Sequence, residues 1–249
     1  MILIRDLNLL FIKGIKVAGT SFEIALSKFA TKNDIITPFG SKNEEIRPGL
    51  NIQGPVNYKY TKFELFRKSK IKFINSFKFP LENLKFHEHM SALELKSALG
   101  EKYFNSLTKV AIVRNPYSYL VSRYHWSIAA AKFHNKKDIS KLSFADWIKK
   151  YPSTINENVK LIEVDGHFVV DEIIKYENFN NDIYAFENKY KLTGLQNLFN
   201  NSKAKTGFNK NKANIDELFN DNSLIESVYF LNKNYIDYFG YKKFNEKYQ

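Results

Sequence analysis

The residues best suited to chemistry in this chain are cations and hydroxyls placed where helices should begin. Residues 111–124 read AIVRNPYSYLVSRY. Asn115 suits a helix N-cap and Pro116 the first helical position, so a helix is expected from Pro116 to about Ala131. Arg114 stands just before it, and Ser122 lies about two turns along it, on the face of Asn115. A guanidinium fork and a hydroxyl so placed can approach one phosphate-like group from two sides. Residues 11–21 read FIKGIKVAGTS. There the N–H groups of Ala18, Gly19, Thr20 and Ser21 would face an anion at a helix start, with two hydroxyls and the Lys16 charge beside them. The nucleotide-triphosphate loop GxxxxGK[ST] is not met, because the lysine precedes the glycine. Each segment taken alone also fits an ordinary strand–turn–helix connection with an exposed cation.

A second kind of chemistry belongs to His87 and His89, at the end of the run LKFHEH over residues 84–89. In extended chain the two side chains point to one side. A histidine titrating near neutrality can take the proton of an attacking alcohol. A structural histidine bonded to backbone has the same appearance. A metal site is disfavoured, since the chain has no Cys and no third ligand stands at a recognisable metal spacing.

The elements that would position these groups follow from hydrophobic pattern. Residues 7–12 and 110–113 are apolar runs suited to strands of a parallel sheet buried on both faces. A helical pattern follows the first run, through Phe22, Ala25, Leu26 and Phe29. Ser91 and Glu94 form a capping-box pattern for a helix that Gly100 can end. Further helices are expected at residues 58–70, 143–149, 182–190 and 224–239, the last with a Ser223/Glu226 box and a Gly240 stop. A strand is expected at 167–176 and a long loop at 34–54. The fold class expected is α/β, a single domain over residues 1–249. Its architecture is a three-layer sandwich with a central, mostly parallel sheet and a phosphate-loop-like strand–loop–helix.

Together these segments resemble the sulfotransferase superfamily that uses 3′-phosphoadenosine 5′-phosphosulfate (PAPS), in its carbohydrate-sulfotransferase-like branch with small bacterial relatives. Residues 15–21, IKVAGTS, are similar to the family's IPKTAGTS loop, with Ile15 in place of Pro and Val17 in place of Thr. Residues 113–124 carry its VRNPYxxLVSxY element, and residues 89–94 its HxSAxE segment. IIKYE at 173–177 and YFGY at 238–241 match weaker landmarks, and the RKG triplet of the cytosolic small-molecule enzymes is absent. The resemblance implies that Arg114 and Ser122 hold the 3′-phosphate, and that Lys16 and residues 18–21 hold the 5′-phosphosulfate. It implies His89 as the base with His87 second, facing a hydroxyl acceptor such as a sugar or polysaccharide, and 3′-phosphoadenosine 5′-phosphate as product with no metal. Arg47 is expected on the acceptor side. Lys203 and Lys205 are expected in a segment closing over the nucleotide.

Composition bounds the rest. The chain has 249 residues, 44% of them hydrophobic, and a formal charge of +12. A basic balance suits a polyanionic ligand, a nucleic acid or an acidic glycan, though no nucleic-acid motif is recognisable. With no cysteine, no apolar run long enough to span a bilayer and no signal-peptide pattern, a cytoplasmic location is expected. Two rivals to a sulfotransferase stand beside it. One is a kinase-like phosphoryl transferase, which should carry a GK[ST] loop and a Mg²⁺-binding acid. The other is a non-catalytic polyanion-binding module.

Overall fold

The computed structural model describes residues 1–39, 44–64, 84–202 and 215–244. A hairpin opens the chain. Strand β1 (Ile2–Ile4) turns through residues 5–8 into β2 (Leu9–Ile12), antiparallel to it. Asn8 adopts φ 52 and its N–H bonds the Arg5 carbonyl, so the strand begins at Leu9 and not at residue 7. Helix α1 (Gly19–Leu26) continues as a 3₁₀ turn to Phe29, and β3 (Ile35–Ile36) then pairs with β1. Next come α2 (Ala92–Leu99), α3 (Glu101–Ser106), β4 (Thr108–Val113), α4 (Pro116–Phe133), α5 (Phe144–Lys150) and α6 (Glu157–Ile162). A small hairpin of β5 (Glu163–Val164) and β6 (His167–Phe168) precedes β7 (Glu172–Lys175). Helices α7 (Phe179–Tyr190), α8 (Leu195–Asn201) and α9 (Asn222–Phe239) complete the described elements needed here.

The sheet order is β3-β1-β2-β4-β7, with β2, β4 and β7 mutually parallel. Both faces of the central strands are covered. Leu9, Phe11, Val110 and Ile112 pack on α1, α7 and α8, through Phe22, Phe186 and Leu195 among others. Leu10, Ile12, Ala111 and Val113 face the opposite way, onto Leu95 of α2, Ile162 of α6 and Phe239 of α9. The arrangement is mixed α/β and compatible with three layers. Phe22 is fully buried, edge-on to Phe11 at 5.0 Å and to Phe186 at 5.8 Å. Burial of such a side chain contributes about 1.5–3 kcal/mol to holding α1 on the sheet. A third apolar cluster joins α4, α5 and α9 through Tyr117, Leu120, Trp147 and Val228. None of the described helices is long and apolar enough to cross a membrane.

Several local expectations hold. Asn115 accepts from the N–H groups of Tyr117 and Ser118 at 3.0 and 3.3 Å. Ser91 and Glu94 form the reciprocal box, and Gly100 and Gly240 take positive φ at helix ends. Others are corrected. The expected strand at 167–176 is two strands, because Asp165 and Gly166, both at positive φ, fold its first part back onto β5. Residues 58–60 are not helical, since Lys59 bridges to Leu84; residues 65–70 of that expected helix lie outside the described ones. The expected loop at 34–54 contains β3 and a helical turn, Ile46–Gly49. Asp221, and not Ser223, caps α9, accepting from Ser223 N–H at 2.8 Å.

Candidate functional site

The carboxyl ends of the parallel strands β2, β4 and β7 lie side by side at one edge of the sheet. Open α/β sheets bind ligands at such edges. From β2 the chain enters a tight loop over residues 13–18. Asn158 of α6 clamps its middle, accepting from Ile15 N–H at 2.7 Å and donating to the Ile15 carbonyl at 3.0 Å. Lys16 and Ala18 both adopt φ 58, an uncommon region for residues with a Cβ. Gly19 is demanded by space, because a Cβ there would stand 2.9 Å from Lys13 Cγ. Ala18 occupies the N-cap of α1 and supplies no side-chain cap. The N–H groups of Gly19, Thr20 and Ser21 therefore have no partner among the described residues. Unpaired N–H groups at a helix start are where anions bind, and Thr20 and Ser21 are themselves buried, at 6% and 7% exposure.

Arg114 joins this loop to the second segment. Its Nη1 donates to the Lys16 carbonyl at 2.7 Å, its Nε to Ser118 Oγ at 3.0 Å, and its guanidinium lies 3.9 Å from the Tyr176 ring centre. Nη2 has no partner among the described residues. Burial pushes the Arg114 pKa down, against the opposing pull of Tyr176, Glu177 and Tyr241. The two weaker landmarks converge here. Glu177 accepts from Asn115 N–H at 2.8 Å and from the Tyr241 hydroxyl at 3.0 Å, while the Tyr235 hydroxyl bonds Arg114 N–H at 3.1 Å. Ser122, expected to share an anion with Arg114, is 9% exposed; the hydroxyl that meets Arg114 is that of Ser118.

His89 docks onto the loop from the other side. It sits in a turn and not in an extended strand, so the expected same-side geometry with His87 does not form. Its Nδ1 lies 3.0 Å from the Lys13 carbonyl. A carbonyl only accepts, so Nδ1 carries the proton and Nε2 keeps a lone pair. Burial lowers its pKa to about 4, with Glu88 and the Lys13 carbonyl acting in the opposite sense. The ring is thus neutral at pH 7, and its Nε2 lies 3.7 Å from Glu88 Oε1; this pKa is below the near-neutral range expected of the base. His87 is half exposed, its Nε2 4.0 Å from Glu94 Oε1. No metal-holding group of His, Asp or Glu occurs among the described residues.

Behind the loop lies an ionic network that sequence reasoning missed. Lys13, 1% exposed, places its ammonium 2.6 Å from Glu88 Oε2 and 3.2 Å from Glu23 Oε2. Glu23, fully buried in α1, also pairs with Arg47 Nη2 at 3.2 Å and lies 3.3 Å from the Met1 nitrogen. Arg47 is not at a surface facing an acceptor. It is fully buried, paired with Glu23 and with Glu44 at 2.9 Å, and set over the Phe39 ring at 3.8 Å. Deleting one member of such a buried pair costs about 3–5 kcal/mol, because its partner stays charged and unpaired. The available signal was a charged residue, Glu23, inside an otherwise apolar helix run.

The Lys16 ammonium extends toward α4, 5.9 Å from the Trp126 ring centre. Lys203 and Lys205 lie outside the described residues. The preceding Ser202 is buried and donates to the Ser21 carbonyl at 3.2 Å, which brings the end of α8 to the start of α1. Compared with protein-family models, with curated proteins and with solved structures, the chain matches none.

Proposed function

We propose that this protein is a sulfotransferase that moves a sulfuryl group from PAPS to a hydroxyl of an acceptor, a carbohydrate in the first instance. One observation carries the reading: the Arg114 guanidinium bonds the Lys16 carbonyl across two neighbouring parallel strands. Two anion-directed segments, separated by about a hundred residues, thereby share one edge, as a ligand phosphorylated at two positions requires. The unpartnered N–H groups at Gly19, Thr20 and Ser21 fit an anion and would hold the 5′-phosphate. The Nη2 edge of Arg114 would take the 3′-phosphate, with Ser118 and Ser122 on the same helix.

The donor supplies the sulfuryl group, its sulfur–oxygen bond to the 5′-phosphate breaking as the acceptor oxygen bonds to sulfur. His89 Nε2 takes the proton of the acceptor hydroxyl, while Nδ1–H stays on the Lys13 carbonyl and fixes the ring. Lys16 stabilises charge on the leaving oxygen, which requires its ammonium to turn from the Trp126 ring toward α1. Positioning and charge stabilisation supply most of the acceleration in this kind of transfer. The reading places the enzyme in the cytoplasm, in keeping with a chain that has no cysteine.

Calorimetry tests the assignment. 3′-Phosphoadenosine 5′-phosphate should bind at least about tenfold more tightly than adenosine 5′-monophosphate, the value of one charge-assisted contact. Equal affinity for the two would overturn it. Tighter binding of ADP would indicate a phosphoryl transferase, and tight binding of heparin alone a polyanion-binding module.

A further inference from the structure

A cavity of about 370 Å³ opens between α4, α5 and the segment that joins them. Its size lies within the usual range of small-ligand sites. Arg123, Trp126, Ser127, His134, Lys136 and Trp147 are among the lining residues, and none of the described lining residues is acidic. The Trp126 ring, 36% exposed, has two cations against it: Arg123 at 5.0 Å and Lys16 at 5.9 Å from the ring centre. Trp147 is almost fully buried. Arg123 is held in place by Glu157, which accepts from its Nε at 2.7 Å, and by Ser127 Oγ at 3.3 Å from Nη1. Glu157 offsets the Arg123 charge, so Lys136 supplies the positive character of the rim. Its side chain is exposed and enters no ion pair among the described residues.

We propose that this cavity binds an acidic sugar unit: a pyranose ring against the Trp126 indole, with its carboxylate at Lys136. The exposed part of the indole, which Arg123 and Lys16 leave open, offers apolar surface that suits the C–H groups of a sugar ring, and the cationic rim selects an anion. Lys16, on the loop after β2, lies with its ammonium 5.9 Å from the centre of the Trp126 ring that lines the cavity. That the sugar is the acceptor rests on the sulfotransferase reading; that it binds here does not.

The chain's two tryptophans both line the cavity, so intrinsic fluorescence reports its occupancy directly. The probe is a disaccharide of glucuronic acid and N-acetylglucosamine, beside the same compound with the carboxylate reduced to an alcohol, and 4-hydroxybenzoate. A saturable change is expected with the acidic disaccharide, weakened about tenfold or more by reduction of the carboxylate. Lys136→Ala should weaken binding of the acidic compound by about fivefold to tenfold and leave the reduced one unchanged. Trp126→Phe should remove most of the signal with an unchanged circular dichroism spectrum. No saturable change, equal affinity for the acidic and reduced disaccharides, tighter binding of the aromatic acid, or wild-type affinity in Lys136→Ala would each overturn the site. Saccharide binding without binding of 3′-phosphoadenosine 5′-phosphate keeps the site and removes the sulfotransferase reading; nucleotide binding without saccharide binding does the reverse.

Discussion

The starts of α1 and α4 look alike in sequence and differ in the fold. Helix α4 is closed: Asn115 satisfies the N–H groups of Tyr117 and Ser118, and Glu177 takes the N–H of Asn115 itself. Helix α1 is open: its N-cap is an alanine in the left-handed region, and its first three N–H groups have no partner among the described residues. Backbone donors are therefore on offer at α1, and at α4 only a side chain, the unengaged edge of Arg114. His89 hangs on the first site through the Lys13 carbonyl. On the proposed reading this contrast becomes a division of labour, with chemistry at the α1 loop and selectivity for the second phosphate at Arg114.

The largest effect expected from this division is on turnover. His89→Ala should lower the rate of sulfuryl transfer by about two to four orders of magnitude while nucleotide affinity changes little. His87→Ala, at an exposed position, should keep near wild-type activity in the same assay. Loss in His87→Ala with full activity in His89→Ala would transfer the role. Next in size, Arg114→Ala should weaken binding of 3′-phosphoadenosine 5′-phosphate by about 1.5–3 kcal/mol, and Arg114→Lys should not restore it, since an ammonium lacks the fork. Adenosine 5′-monophosphate should bind the variants and wild type alike. An equal loss for both nucleotides would mean that Arg114 acts by shaping the loop through the Lys16 carbonyl, and the division would fail.

A smaller effect concerns pH. The His89 pKa lies near 4, below the 6.5 of an ordinary histidine, so the unfolded chain binds the extra proton more readily. The contribution is present in full above pH 6.5 and is lost as pH falls toward 4. Discounted for a side chain 32% exposed, it amounts to on the order of 2 kcal/mol. Denaturant unfolding at pH 7 and pH 5 should show wild type losing more stability than His89→Gln; parallel losses would show that the ring is not desolvated. The smallest effect is expected at the closed helix. Asn115→Ala should cost about 1 kcal/mol of stability, the usual value of a cap, with unchanged nucleotide affinity. A large fall in affinity there would reveal an anion seat at α4 and erase the contrast.

What could be read from sequence was local. Asn115 with Pro116, Ser91 with Glu94, and the glycines at 100 and 240 mark helix ends by short-range chemistry, and all four appear where expected. The alternating faces of β2 and β4 follow from the same apolar runs. The partnerships of the site were not legible, because they join residues far apart in the chain. Nothing near Lys13 signals Glu88, and nothing near Arg47 signals Glu23. Arg47 reads as an acceptor-side residue until a buried carboxylate is placed against it. His87 and His89 read as a strand pair until the turn at 88–89 separates them. The β5–β6 hairpin was missed although Asp165-Gly166 is a strong two-residue turn signal, because the apolar run after it reads as one continuous strand.

The pairing of β2 with β4 bears on how the chain assembles during synthesis. The β1–β2 hairpin closes locally, Ile2 onto Phe11, yet the far edge of β2 finds its partner only about 100 residues later. Until Thr108–Val113 leaves the ribosome, a fully apolar strand presents an unpaired edge, a template for non-native pairing between nascent chains. The loop after β2 is held by Arg114 and Asn158, so a chain arrested before residue 108 holds the loop residues without the neighbours that fix them.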